Sequence, residues 1–187
     1  MTEIITYFSK FGIAQEHLTP FLELLEFKKL SKGATLLSRG QTDSYLSFLN
    51  GGLIRFYVVK DNYESTFDFI FPHSFYCHYD SYYSCKPTEF YSEALSDLEI
   101  YRISRDDLQS LFQTCEYAKD LTRISVERLL EKKVKRELSL LTESPEERYI
   151  KLIEEQPKLL RHVPQKYIAA YLGIVPETLS RIRARIS

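Results

Sequence analysis

The chain has 187 residues and a mass of 22.0 kDa, room for one ordinary domain or two small ones with a sizeable core. Apolar residues make up 44% and charged residues 27%, a globular balance, and 14 Tyr and 12 Phe stand beside no Trp. A net charge of −1 points to neither a nucleic-acid binder nor an acidic-surface protein, and no apolar run approaches the roughly 18 residues of a membrane span.

Residues 2–12 and 15–25 read as short helices, with Leu18, Phe21, Leu22 and Leu25 at helical spacing. From Phe27 the period changes to short β-type runs punctuated by Gly33 and Gly40. Tyr45–Leu49 is a strand, and Asn50-Gly51-Gly52 is a hairpin signal because Asn and Gly tolerate positive φ. Leu53–Val59 alternates, with Leu53, Arg55, Tyr57 and Val59 on one face and Ile54, Phe56 and Val58 on the other. Asp61-Asn62 turns into a strand over 65–71, Pro72-His73-Ser74 turns again, and 75–84 is a Tyr/Phe-rich segment of no clear period. Strands over 90–96 and 99–104 close the β region. Short strands at this spacing predict a sandwich or barrel.

Ser104 is placed to cap a short helix over 106–112. A long helix follows over 116–141, with no Gly or Pro inside it. Its apolar positions Val126, Leu130, Val134, Leu138 and Leu141 step by 4, 4, 4 and 3. Such a stripe packs either on the β body or on the same helix of a second copy, and the steps are not a clean heptad. Ser144-Pro145-Glu146-Glu147 opens the next helix, with a cap, a first-turn proline and acids at the positive dipole end.

The charge is split along the chain. Residues 1–115 carry 10 basic and 15 acidic side chains, whereas 116–187 carry 15 and 11. In 156–187, Lys158, Arg161, Lys166, Arg181, Arg183 and Arg185 oppose Glu177 alone. A basic tail points to an anionic partner, although a solvated helix face has the same composition.

The sharpest signal is Gln165–Ile186, QKYIAAYLGIVPETLSRIRARI. One helix covers 165–172, Gly173 follows where a tight turn needs positive φ, and Pro176 opens a second helix. Ala169 allows close crossing, and Ile168, Leu172, Ile174, Leu179, Ile182 and Ile186 form the expected shared core. Glu177, Ser180, Arg181 and Arg185 then share the outward face. Arg makes bidentate bonds to guanine and Glu accepts from a cytosine amino group, so this face suits a major groove. Gln165, Lys166 and Thr178 are placed for phosphates. An ordinary helical hairpin is the bland alternative.

With those residues in place, the chain resembles the Crp/Fnr family of bacterial transcription regulators over nearly its whole length. KKLSKGATLLSRGQTDSYLSFLNGGLIRFY is similar to the family's β-roll, and EALSDLEIYRISRDDLQSLF to its last strands and following helix. The resemblance implies an α+β fold: a double-stranded β-helix (jelly-roll) effector domain over 1–115, a dimerisation helix over 116–141, and an all-α helix-turn-helix domain over 142–187. It implies a homodimer on a near-palindromic double-stranded DNA operator, with RNA polymerase as a partner. Glu177 and Arg181 match base-reading positions, and Gln165 matches one that approaches DNA from the preceding helix. Pro176 stands where some members use Arg, so the target sequence is expected to differ from theirs. The sequence given ends at Ser187, so a full β-wing with its phosphate contacts is not expected, and salt dependence should be shallower.

The effector region departs from the family pattern. Cyclic-nucleotide-binding members carry Gly-Glu-Leu for the ribose and an Arg-Ser pair for the phosphate. An ungapped match places Cys77-His78-Tyr79 at the first and Thr88-Glu89 at the second. Glu89 would set a negative charge beside a phosphate, so cyclic AMP is not the expected effector. Phe75, Cys77, His78, Tyr79, Thr88 and Glu89 then outline either an aromatic-lined pocket for an unidentified small molecule or a filled core.

Metal and redox roles are not expected. Cys77, Cys85 and Cys115 lack CxxC spacing, three thiols cannot ligate a four-Cys cluster, and no disulfide scaffold follows. A cupin-like metal enzyme or sensor without DNA binding is the cross-class alternative. It needs a compact His cluster, whereas His17 and His162 fall far from His73 and His78. No catalytic triad, phosphate loop or carboxylate pair stands out, so no enzyme activity and no cofactor are expected. The start Met1-Thr2-Glu3-Ile4 lacks signal-peptide character, which predicts a cytoplasmic protein.

Overall fold

A computed structural model describes residues 1–187 except Asn62, Glu116, Lys158 and Ser187, and the side chains of Arg161 and His162. The second half of the Asp61-Asn62 turn, the expected helix start at Glu116 and the charges of Lys158 and Arg161 therefore lie outside the described residues. The chain opens with helices α1 (Thr2–Ser9) and α2 (Gln15–Glu23). Among the described residues eight strands follow: β1 (Glu26–Leu30), β2 (Thr35–Leu37), β3 (Tyr45–Gly51), β4 (Ile54–Lys60), β5 (Tyr63–Ile70), β6 (Ser74–Tyr76), β7 (Tyr91–Ala94) and β8 (Leu98–Ser104). The short helix α3 (Tyr79–Tyr82) sits between β6 and β7, resolving the Tyr/Phe-rich segment into strand end and helix. Helices α4 (Arg105–Thr114), α5 (Ala118–Thr142), α6 (Pro145–Glu155), α7 (Leu159–His162), α8 (Gln165–Leu172) and α9 (Pro176–Ile186) complete the mixed α and β fold.

The strands form two four-stranded sheets, of order β1-β8-β3-β6 and β2-β7-β4-β5. In the first sheet Lys28 faces Ile100, Leu49 also faces Ile100, and Ser47 faces both Arg102 and Tyr76, all in antiparallel register. Alternation sends Leu46, Phe48, Phe75 and Ile103 to the opposite face. There they pack with Ile4, Phe8, Leu18 and Phe21 of the N-terminal helices, Leu108 and Leu111 of α4, and Leu121 and Ile124 of α5. This apolar layer is the main core, and Phe75 lies 4.9 Å from Phe48 and 5.3 Å from Phe8, ring to ring.

Local sequence explains the punctuation. Ser104 accepts a hydrogen bond from the Asp107 N–H at 3.0 Å and caps α4. Ser144 and Glu147 form a reciprocal capping box at the start of α6, with Pro145 in its first turn. The expected alternation fails at the start of β4. Ile54, Arg55 and Phe56 are all buried, so both strand faces are covered there and a period of two disappears. Arg55, fully buried, pairs with Glu93 of β7 at 2.9 Å, which meets the cost of burying its charge.

Contacts sort the chain into two compact units, residues 1–55 with 69–129 and residues 56–68 with 130–187. The division crosses α5. Its first turns bury Ala118, Leu121, Ile124 and Ser125, whereas Leu130, Val134, Leu138 and Leu141 stand 46–77% exposed. In the second unit, the β5 carboxylate of Asp68 is buried between Lys132 and Lys133, each at 2.7 Å. Burial alone would push the Asp68 carboxyl up, but the two ammonium groups outweigh it and hold its pKa below the ordinary carboxylate value.

Gly52 is the most crowded of the glycines. Its φ is +99°, and an added Cβ would lie 2.6 Å from the Leu98 side chain and closer still to the Asp97 carbonyl. Gly40 has a similar φ of +88° with nothing near it. Gly52→Ala should therefore cost about 2–4 kcal/mol, and Gly40→Ala only about 1 kcal/mol. Thermal melts followed by circular dichroism should separate the two variants by several degrees, and equal melting temperatures would contradict the crowding argument.

Candidate nucleic-acid interface and effector region

Helices α8 and α9 form a tight hairpin in the second unit. Gly173 takes the left-handed conformation (φ +73°) after α8. The Ile174 N–H reaches back to the Ala169 carbonyl at 3.0 Å, and the Gly173 N–H to the Ala170 carbonyl at 3.1 Å. This double bond pattern is a Schellman stop, and it turns the chain sharply into Pro176. Ile168, Ala169 and Leu172 meet Leu179 and Ile182 in a buried contact, and Ala169 has no exposed surface at all. Ile174 is half-buried at the turn. Ile186 was expected in this core but is 40% exposed. The 11-residue α9 is longer than the 8-residue α8, so its last turn passes the end of its partner.

The last two carbonyls of α8 are bound by arginines from elsewhere. Arg136 of α5 donates to the Tyr171 carbonyl and to the Phe67 carbonyl of β5, and its guanidinium lies 3.8 Å over the Tyr171 ring. Arg148 of α6 donates to the Leu172 carbonyl through Nε (3.1 Å) and Nη2 (2.9 Å). Its Nη1 takes the Ser139 and Glu143 carbonyls at the end of α5. All four terminal carbonyls of α8 are thereby satisfied. Sequence reading missed both arginines, because a guanidinium folded back onto helix ends has the same helical spacing as a solvated one.

The outward face of α9 carries Glu177, Ser180 and Arg181, all exposed and without an intramolecular side-chain partner among the described residues. Thr178 is half-buried beside them. Gln165 and Lys166 are exposed at the start of α8, with the Lys166 ammonium 4.9 Å over the Tyr167 ring. Arg185 shares the exposed side but is engaged, 3.2 Å from Glu146 of α6. Six of the seven predicted positions thus present unengaged or weakly engaged polar groups, and the seventh has an exposed ion-pair partner worth about 0–1 kcal/mol.

The effector positions do not converge on one pocket. Phe75 points into the helix-covered core with Phe8 and Phe48. Tyr79 and His78 meet on Phe90, with the His78 ring stacked at 4.7 Å. The His78 N–H donates to Asp43 at 2.8 Å, and its Nδ1 lies 3.4 Å from the same carboxylate. Thr88 is buried and donates to Asp80 at 2.9 Å, and the Glu89 N–H also donates to Asp80 at 2.8 Å. Glu89 itself is exposed and pairs with Arg39 at 2.9 Å. Burial, reinforced by Asp43 and Asp80, pushes the Cys77 thiol well up, so it is a protonated, poor nucleophile. Asp43 and Asp80 organise this region, and neither carried a motif. Among the described residues, no group of three or more His, Cys, Asp or Glu is arranged to hold a metal ion, and no helix is long and apolar enough to cross a membrane.

Arg148→Leu should lower stability by about 2–4 kcal/mol, because it strands buried carbonyls at two helix ends. Thermal denaturation reads the loss. Amide exchange should rise first at the α8–α9 turn, and a uniform rise across the roll would contradict a local anchor.

Comparison with known proteins places the fold. Residues 27–115 match the cyclic nucleotide-binding domain family. No curated protein matches the sequence. Among solved structures, the chain is similar to FixK2 from Bradyrhizobium japonicum, with 17% identity, TM-score 0.73, and 87% of this chain and 84% of that one covered. It is similar to the c-di-GMP responsive global regulator CLP from Xanthomonas campestris at 17% identity and TM-score 0.70, over 91% and 90% of the two chains. A chain from Eubacterium rectale assigned to the Crp/Fnr transcriptional regulators matches at 16% identity and TM-score 0.70, over 95% and 85%. The chain therefore carries a cyclic nucleotide-binding family domain over residues 27–115, within a fold it shares with these solved structures.

Proposed function

We propose that the protein is a sequence-specific DNA-binding transcription regulator of the Crp/Fnr type that acts as a homodimer and has no enzymatic activity. One observation carries the reading. The α9 helix buries Leu179 and Ile182 against α8 while leaving Glu177, Ser180 and Arg181 exposed and unengaged, after a turn whose carbonyls are all satisfied. A polar reading face on a rigidly mounted helix is what major-groove recognition requires. In this reading Arg181 and Glu177 read base edges, Ser180 adds a short polar contact, and Gln165, Lys166 and Thr178 position the module on phosphates. Arg185 joins them on release from Glu146. RNA polymerase is the expected protein partner, and the cytoplasm the expected compartment.

Dimerisation is proposed through α5. Leu130, Val134, Leu138 and Leu141 expose 62%, 46%, 53% and 77% of their surface. An apolar stripe of this kind fits the same helix of a second copy. The domain roles follow: effector roll over 1–115, dimer helix over 116–141 and DNA module over 142–187. Cyclic AMP is not the proposed effector. At the positions aligned with the phosphate-binding pair, the Thr88 hydroxyl and the Glu89 N–H already serve the Asp80 carboxylate. A phosphate there would face that fixed anion.

Two measurements test the reading. Selection of fragmented genomic DNA on the purified protein at moderate salt should enrich a two-fold symmetric motif, and Arg181→Ala should weaken binding to it at least about tenfold, the loss of about one bidentate base contact. Retention of full affinity by the variant would refute base reading by this helix. Sedimentation should give a dimer for the native chain and a monomer for Val134→Asp, since a buried unpaired carboxylate at the stripe opposes association. A native monomer at micromolar concentration would refute the dimer.

A further inference from the structure

Three carboxylates stand at the junction of α5 and α6, and two of them hold the junction together. Glu143 accepts from the Ser139 hydroxyl at 2.7 Å and from Lys151. Glu147 accepts from the Ser144 N–H at 2.7 Å and completes the capping box. Glu146, in the first turn of α6, has neither duty. Its side-chain partner among the described residues is Arg185, in the last turn of α9, with Nη2 at 3.2 Å from Oε2.

Neither member needs the other to be stable where it is. A carboxylate in the first turn of a helix is favoured by the positive dipole end, and a guanidinium in the last turn by the negative end. Both side chains also keep water, Glu146 at 39% exposure and Arg185 at 65%. A pair this exposed adds little to folding. Its consequence lies in what it withholds. Arg185 follows Arg181 by four residues, one turn further along the exposed side of α9. A free guanidinium there extends the cationic end of the DNA-facing surface. A guanidinium already paired with a carboxylate does not, because carboxylate and phosphate oxygens compete for the same fork of donors.

We infer that Glu146 is an internal competitor for the DNA backbone, holding Arg185 by the charge-assisted bond that a phosphate oxygen would otherwise make. The inference rests on the DNA-binding reading and assigns a regulatory role to a residue outside the last helix. Binding DNA must either break the Glu146–Arg185 pair or forgo the Arg185 contact, and affinity falls in both cases. Glu177 and Arg181 take no part in the pair, so Glu146 sets how strongly the module grips a duplex of any sequence and leaves its base preference alone.

A double-mutant cycle on the full chain tests this, read by fluorescence anisotropy with a labelled duplex of about 25 base pairs and arbitrary sequence at fixed, moderate salt. Glu146→Gln should tighten binding at least about twofold, and the gain should fall below about 1.5-fold when Arg185→Gln is also present. Thermal melts of both single variants should stay within about two degrees of the native chain, as an exposed pair requires. An equal gain with and without Arg185→Gln would mean simple removal of a negative charge and overturns the competition, as does no gain at all or a melt lowered by many degrees. If neither the native chain nor the Glu146→Gln variant binds duplex DNA, the DNA-binding reading fails and this inference with it. Binding with no coupling between the two positions refutes the competition alone.

Discussion

A helix of eight residues leaves as many terminal carbonyls without intrahelical partners as it pairs. That constraint governs the C-terminal half of this protein. In α8 the Schellman turn satisfies two of the four, and the remaining two fall to Arg136 and Arg148. Because these arginines stand on α5 and α6, meeting the hydrogen-bond requirement of α8 also fixes its attitude to both helices. The same Arg148 closes the end of α5 at Ser139 and Glu143. One guanidinium therefore ends two helices, and the outward face of α9 inherits its direction from that junction.

Charge placement follows a similar economy elsewhere. Buried ions are matched by partners on a different element: Arg55 by Glu93, and Asp68 by Lys132 and Lys133. Each pair ties a strand to a neighbouring strand or helix, so the cost of desolvation is met by a contact that also sets position. Asp43 and Asp80 act in the same way on backbone N–H groups around α3. Against this background of matched charge, the unmatched groups stand out. Among the exposed groups without a side-chain partner among the described residues, Glu177, Ser180 and Arg181 lie together on one face of α9. Partners outside the chain are best sought where the protein leaves its own chemistry unanswered.

Legibility in the sequence followed the range of the interaction. Turns, caps and helix starts depend on a few consecutive residues. Gly52, Gly173, Ser104, Ser144 and Pro176 were all readable, and each stands in the conformation or cap expected of it. Helical periodicity likewise exposed α5 and the hairpin of α8 and α9. Alternation was less dependable. It failed at Ile54–Phe56, where a strand is covered on both faces, and the Tyr/Phe-rich run from Phe75 carried no period that marked the end of β6.

The sequence by itself determined where elements begin and end, that the tail is basic, and that one face of the last helix is polar. Those properties are local: they rest on backbone stereochemistry and on periods of two or 3.6 residues. Only the tertiary structure decided which of the many charged side chains are engaged. Arg136, Arg148 and Arg185 look alike in the sequence as helical basic residues, yet two hold backbone carbonyls and one an exposed glutamate. The polar cross-strand row of the first sheet is invisible in the chain order too, because Glu26, Ser47, Tyr76 and Arg102 become neighbours only through strand register. Register and helix packing bring together residues dozens of positions apart, and no short-range pattern encodes that meeting.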